Sequence, residues 1–150
     1  IWTNQGDNRT IASYGGGPMP KSHIDFLKNG RLWLEMGDQI FVHGGFNPDV
    51  SLSKHNAQTL VWDRSLLDTA WEKHSMSKVC RFSRYKDIFI GHTTTELYNS
   101  LKPIRACNIW DIDTGAGWSG KLTIMNVDTK KYWQSDLTPD LYGGTPGMID

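Results

Sequence analysis

Ile40-Phe41-Val42-His43-Gly44-Gly45 and Ile88-Phe89-Ile90-Gly91-His92 share one design: a short apolar run that stops abruptly at a histidine flanked by glycine. A compact apolar run bounded by turn formers reads as a buried strand. Upstream, Leu32, Leu34 and Met36 alternate with Trp33 and Glu35, and Gly37-Asp38 fits a two-residue hairpin turn into the first run. Between the two runs, Ser53 to about Met76 is helical in character, with a break expected near Trp62-Asp63-Arg64. From about Arg105 the pattern turns to antiparallel strands, through Cys107–Ile112, a turn at Asp113-Thr114-Gly115, Leu122–Val127, a turn at Asp128-Thr129-Lys130, and Tyr132-Trp133. Strands, one helical block and a C-terminal β-meander make an α/β or α+β domain. Residues 1–19, rich in Asn and Gly, read as a loop, and Pro20–Lys28 as a short helix capped by Ser22 and stopped by Gly30. Residues 136–150 read as a Gly/Pro-rich tail.

Length and composition bound the function. At 150 residues, 38% hydrophobic and 21% charged, the chain can bury a core. Lys plus Arg and Asp plus Glu number 16 each, which argues against nonspecific nucleic-acid binding and against docking on anionic membranes. No stretch approaches the roughly 20 apolar residues of a membrane span. Cys80 and Cys107 lie far apart without a CxxC pattern, so two free thiols in a reducing, cytoplasmic compartment are expected.

Ligands in open α/β sheets gather where strands end, and glycine beside a histidine lets backbone approach a ligand closely. His43 and His92 are therefore candidate metal ligands; the alternative for each is a histidine hydrogen-bonded at a strand end. A catalytic metal takes about three protein ligands, and a two-metal site more. His23, His55 and His74 have no matching context, so the chain offers half a metal site. Arg64 is a candidate phosphate binder, because a guanidinium grips phosphate bidentately. Its alternative is an ion pair with Asp68, four residues on along a helix. Asp113-Thr114-Gly115-Ala116 is also the active-site spelling of retroviral-type aspartic proteases, but too little chain follows it to build such a fold.

Taken in order, Phe41–Asp49, Leu60-Val61-Trp62-Asp63-Arg64, Ile90-Gly91-His92-Thr93 and Ile112–Ala116 with Gly120-Lys121-Leu122-Thr123 resemble the calcineurin-like metallophosphoesterases, above all bacterial and phage serine/threonine protein phosphatases. Trp2, Asn4, Gly6, Thr10 and Ser13-Tyr14 resemble that family's segment after its Gly-Asn-His-Glu motif. The resemblance covers residues 1–135 and implies the C-terminal half of a four-layer α/β/β/α sandwich, followed by the 136–150 tail. It implies two divalent ions (Mn, Fe or Zn) in the complete enzyme, with His43 and His92 on one of them and Arg64 on the substrate phosphate. A metal-bound hydroxide would hydrolyse a phosphoprotein or another phosphate ester. Thr94 stands where the cyclic-nucleotide and nuclease branches carry a second histidine, which favours the protein phosphatases or the dinucleoside tetraphosphatases. The family's Asp-x-His, Gly-Asp-x-x-Asp-Arg-Gly and Gly-Asn-His-Glu motifs are missing, so these residues alone are expected to be inactive and to self-associate through uncovered apolar strands. A noncatalytic binding or assembly module that keeps the fold is the alternative from another class.

Overall fold

The computed structural model describes residues 7–77 and 79–142, which divide into two compact units, residues 7–31 and the remainder. The first unit holds α1 (Asp7–Ser13) and α2 (Lys21–Lys28). The loop expected over residues 1–19 is thus helical from Asp7 to Ser13, while residues 1–6 lie outside the described residues. Gly15 and Gly16, both at positive φ, end α1 by donating to the carbonyls of Ala12 and Ile11. The expected Ser22 cap is not made: α2 begins after Pro20, whose fixed φ suits a helix start, without a side-chain cap.

The second unit contains a five-stranded mixed sheet in the order β1-β2-β3-β5-β4. Its strands are β1 (Trp33–Met36), β2 (Gln39–Val42), β3 (Asp87–Ile90), β4 (Ile104–Ala106) and β5 (Ile109–Asp111). β1 and β2 form the expected hairpin, with Met36 opposite Gln39 and Gly37 at φ 61°. β2, β3 and β5 run parallel. The helical block divides where expected, into α3 (Ala57–Trp62) and α4 (Ser65–Met76). Ile40, Val42, Ile88, Ile90 and Ile109 alternate onto one face and pack with Leu60, Leu66, Leu67 and Ala70 of these helices.

Phe41, Phe89 and Trp110 form a row across the opposite face, with the two phenyl rings stacked at 4.9 Å. Lys130 lies over this row, 4.8 Å from the Phe89 ring, and pairs with Asp87 at 2.7 Å. Trp110 Nε1 donates to the same carboxylate. Lys130 belongs to the turn between β6 (Thr123–Met125) and β7 (Tyr132–Gln134), a separate antiparallel ribbon.

The continuous C-terminal meander is corrected by this topology. β4 and β5 are a hairpin, but β5 joins the main sheet parallel to β3. Strand alternation looks alike in both arrangements, and only the partner differs. Residues 136–142 are not a loose tail either. α5 (Thr138–Tyr142) is tied back by Thr138, whose hydroxyl donates to Trp118 and Gly120 carbonyls; residues 143–150 lie outside the described residues.

The expectation of two free thiols is also overturned. Cys80 and Cys107 are joined as a disulfide, with Cα atoms 4.8 Å apart. Cys107 sits at positive φ in the β4–β5 turn, and the segment before β3 folds over that turn. A spacing of 27 residues cannot reveal this approach. The disulfide also withdraws the thiol-based reason for a reducing compartment. Among the described residues, no helix is long and apolar enough to cross a membrane.

Candidate metal and phosphate site

The parallel strands β2, β3 and β5 end side by side, and the residues that follow them converge. The ladder continues past the strands: Gly91 N–H donates to the His43 carbonyl at 2.9 Å, and Ile112 N–H to the Ile90 carbonyl at 3.1 Å. Gly91 lies between the two loops at ordinary contact distance: a Cβ there would lie 3.7 Å from the His43 carbonyl oxygen and 3.6 Å from Asp113 Cβ. His92 then adopts φ 64°, which costs a side-chain-bearing residue about 1 kcal/mol or more. Its ring is brought to 5.3 Å from that of His43 and meets Trp62 edge-on at 5.1 Å.

Trp62-Asp63-Arg64 reaches the same end of the sheet because Gly44 and Gly45 leave room for it. A Cβ at Gly44 would stand 2.8 Å from the Val61 backbone, and one at Gly45 2.5 Å from Asp63 Oδ2. Gly44 N–H donates to the Leu60 carbonyl at 2.8 Å and docks the end of α3 onto the end of β2. Asp63 fastens the start of α4, accepting from Leu66 N–H (3.1 Å) and the Ser65 hydroxyl (2.7 Å). Arg64 is left exposed beside this anchor. The helical alternative for Arg64 is not realised: among the described residues no Arg64–Asp68 ion pair forms. Asp68 instead accepts the Tyr98 hydroxyl at 2.6 Å.

The electrostatics favour an uncharged His92. Burial lowers its pKa first, followed by the charge of Arg64 and by His43, with Asp113 opposing. His92 Nε2 is buried and has no hydrogen-bond partner. Unpartnered buried polar atoms are uncommon in folded proteins and point to a missing ion or ligand. The other histidines are engaged elsewhere. His55 accepts Asn47 N–H through Nε2 at 3.0 Å, and His23 meets the Tyr14 hydroxyl at 2.7 Å.

Two carboxylates also lie near the strand ends: Asp113, considered from the sequence only as the aspartic-protease spelling and as part of the family motif, and Asp111, which the sequence reading did not single out. Asp113 stands close enough to His92 to raise its pKa, and its Oδ1 accepts Gly115 N–H at 3.1 Å. Asp111, at the end of β5, is fully buried. Its Oδ1 accepts Asp113 N–H at 3.0 Å, and its Oδ2 has no partner. Burial pushes its pKa up to about 8, the Asp113 N–H bond opposes this, and the Asp113 charge adds to it. A carboxylate that closes a strand end is a sequence signal for both, but burial is not readable there. The Asp113–Ala116 segment lies in a closed loop: Gly120 N–H donates to the Gly115 carbonyl, and the Thr114 hydroxyl meets Thr123 at 2.5 Å. Trp118 projects from it, exposed.

Two features qualify the arrangement. Among the described residues, His74, Cys80 and Cys107 are the one group of three His, Cys, Asp or Glu ligand atoms within 4.8 Å of one another, and neither His43 nor His92 belongs to it. The two imidazoles thus lack a third described ligand. A cleft of about 570 Å³ between the 46–53 and 83–85 segments contains none of His43, Arg64 and His92. The converging strand ends weigh more than cleft size, because they carry the unsatisfied nitrogen. Compared with known proteins, the chain matches no family model and no curated protein sequence.

Proposed function

We propose that the chain is part of a metal-dependent phosphomonoesterase of the calcineurin-like, serine/threonine protein phosphatase type, within that family's four-layer sandwich. The observation that carries this reading is the buried, unpartnered Nε2 of His92, 5.3 Å ring to ring from His43 at the ends of adjacent parallel strands. A neutral imidazole there offers its lone pair to a divalent cation. The same neutrality keeps a positive charge from competing with the ion. His43 and His92 would hold one ion of the Mn, Fe or Zn type; bound, it would polarise a phosphoryl oxygen and lower the pKa of water.

The chain's own residues do the remaining work. The exposed Arg64, fixed next to the α4 anchor, binds and orients phosphate oxygens through its fork of donors. Trp62 shields one edge of His92 from water. Two imidazoles fall short of the three protein ligands that a catalytic ion takes, so hydrolysis of an aryl phosphate by these 150 residues with added Mn2+ is expected to be absent. A phosphorylated protein or another phosphate ester is the substrate class; a dinucleoside polyphosphate shares its chemistry.

Calorimetric titration of the chain with Mn2+ tests the proposal. His43→Ala and His92→Ala are each expected to weaken binding about 10- to 100-fold. Inorganic phosphate binding in the presence of Mn2+ is expected to be lost in Arg64→Ala. Mn2+ affinity indifferent to both histidines removes the site. Intact metal binding with no phosphate binding favours a noncatalytic module.

A further inference from the structure

We infer that Cys80, Cys107 and His74 form a second, redox-gated site, closed as a disulfide and binding one thiophilic divalent cation such as Zn2+ when reduced. Two sulfurs and an imidazole nitrogen lie within 4.8 Å of one another. Thiolates and imidazole are the donor set that selects zinc, and three protein ligands with one position open to water is a common zinc arrangement. The cluster lies at the opposite end of the sheet from His43 and His92. Cys107 precedes β5, whereas the histidines follow β2 and β3.

Three features preorganise it. Cys107 N–H donates to His74 Nδ1 at 3.4 Å, which holds the imidazole beside Cys107; a neutral imidazole has one nitrogen lone pair, so a bound ion takes it in place of this long hydrogen bond. The cluster lies at the end of α4, where helix carbonyls favour a cation; the Ala70 carbonyl is 3.7 Å from Cys107 Sγ. Asn108 holds the Cys80 side without help from the disulfide. Its Oδ1 accepts Phe82 N–H at 2.7 Å, and its Nδ2 donates to the Phe82 and Tyr85 carbonyls at 2.9 Å each. The sulfurs therefore remain neighbours after the S–S bond is cut. Cys107 is buried and Cys80 half-buried, which leaves Cys80 as the sulfur open to an incoming thiolate.

The chemistry balances with a dithiol as reductant. It gives up two electrons and two protons and closes its own disulfide, while the S–S bond becomes two thiols. Zn2+ then displaces both thiol protons to solvent and bonds two thiolates and the free ring nitrogen of His74, whose hydrogen bond from Cys107 N–H is given up. Disulfide and metal exclude each other, because each uses both sulfurs.

The test uses the full 150-residue chain with Co2+ as probe, after dithiol reduction and anaerobic removal of the reductant. The reduced chain is expected to take up one equivalent of Co2+ with thiolate-to-cobalt charge-transfer absorption, and Zn2+ should displace it. The oxidised chain should show no such absorption. Cobalt at His43 and His92 has no sulfur ligand and cannot produce it, so the two sites are read separately. His74→Ala should weaken the signal about 10-fold or more, and Cys80→Ser, at the more accessible sulfur, should remove most of it. A reduced, folded chain without this absorption overturns the inference. So does a His74→Ala affinity equal to wild type, or loss of far-ultraviolet circular dichroism on reduction alone.

Discussion

At the scale of single residues, the ends of the parallel strands carry two unsatisfied atoms, His92 Nε2 and Asp111 Oδ2. They call for different explanations. His92 lies beside a second imidazole and near an arginine, which fits the ligand position proposed for it. Asp111 is fully buried with a single backbone donor, which makes it a carboxyl kept protonated at neutral pH. Between about pH 4 and about pH 8 the folded chain holds a proton at Asp111 that the unfolded chain, at its ordinary 3.8, releases. Stability at this group is therefore greatest at acidic pH and falls as pH rises through that window. Asp111→Asn is expected to flatten this dependence and to raise stability above pH 8 by a few kcal/mol at most, at about 1.4 kcal/mol per pKa unit. Urea unfolding of both proteins at pH 5, 7 and 9 measures it. Parallel pH profiles for wild type and variant would refute the assignment.

At the scale of elements, Asp63 links helix and site. It fastens the start of α4 and sits against Gly45 while Arg64 follows it into solvent. Asp63→Ala removes this anchor and is expected to cost about 1 kcal/mol, seen as a lower Tm. It should also loosen Arg64 and weaken phosphate binding more than Mn2+ binding. Equal losses for both ligands would mean that Asp63 supports the histidines rather than the arginine. The division into α3 and α4 was legible because Trp62-Asp63-Arg64 interrupts the helical pattern. The hairpin at Gly37-Asp38 was legible because glycine accepts positive φ there. The helix Asp7–Ser13 was not, since its run of Asp, Asn, Arg and Thr lacks an apolar period.

At the scale of the whole chain, the apolar residues that alternate along β1 are largely open: Leu34 is 40% and Met36 54% exposed. β1 is a sheet edge, and the β6–β7 ribbon exposes Ile124 and Trp133 as well. Such surfaces associate. The chain is expected to self-associate, and Leu34→Lys with Met36→Lys to shift it toward monomer in multi-angle light scattering. A wild-type monomer at high concentration would count against this. The sequence by itself determined the apolar strands that end at His43 and His92, the hairpin before them and the divided helix between them, because those follow from side-chain period and turn chemistry within a few residues. Tertiary structure alone decided that β5 lies parallel to β3, that Asp68 serves Tyr98 and leaves Arg64 free of it, and that Cys80 meets Cys107 beside His74. Each is a choice of partner across 21 or more residues, and local patterning carries no information about which distant surface a strand or side chain will face.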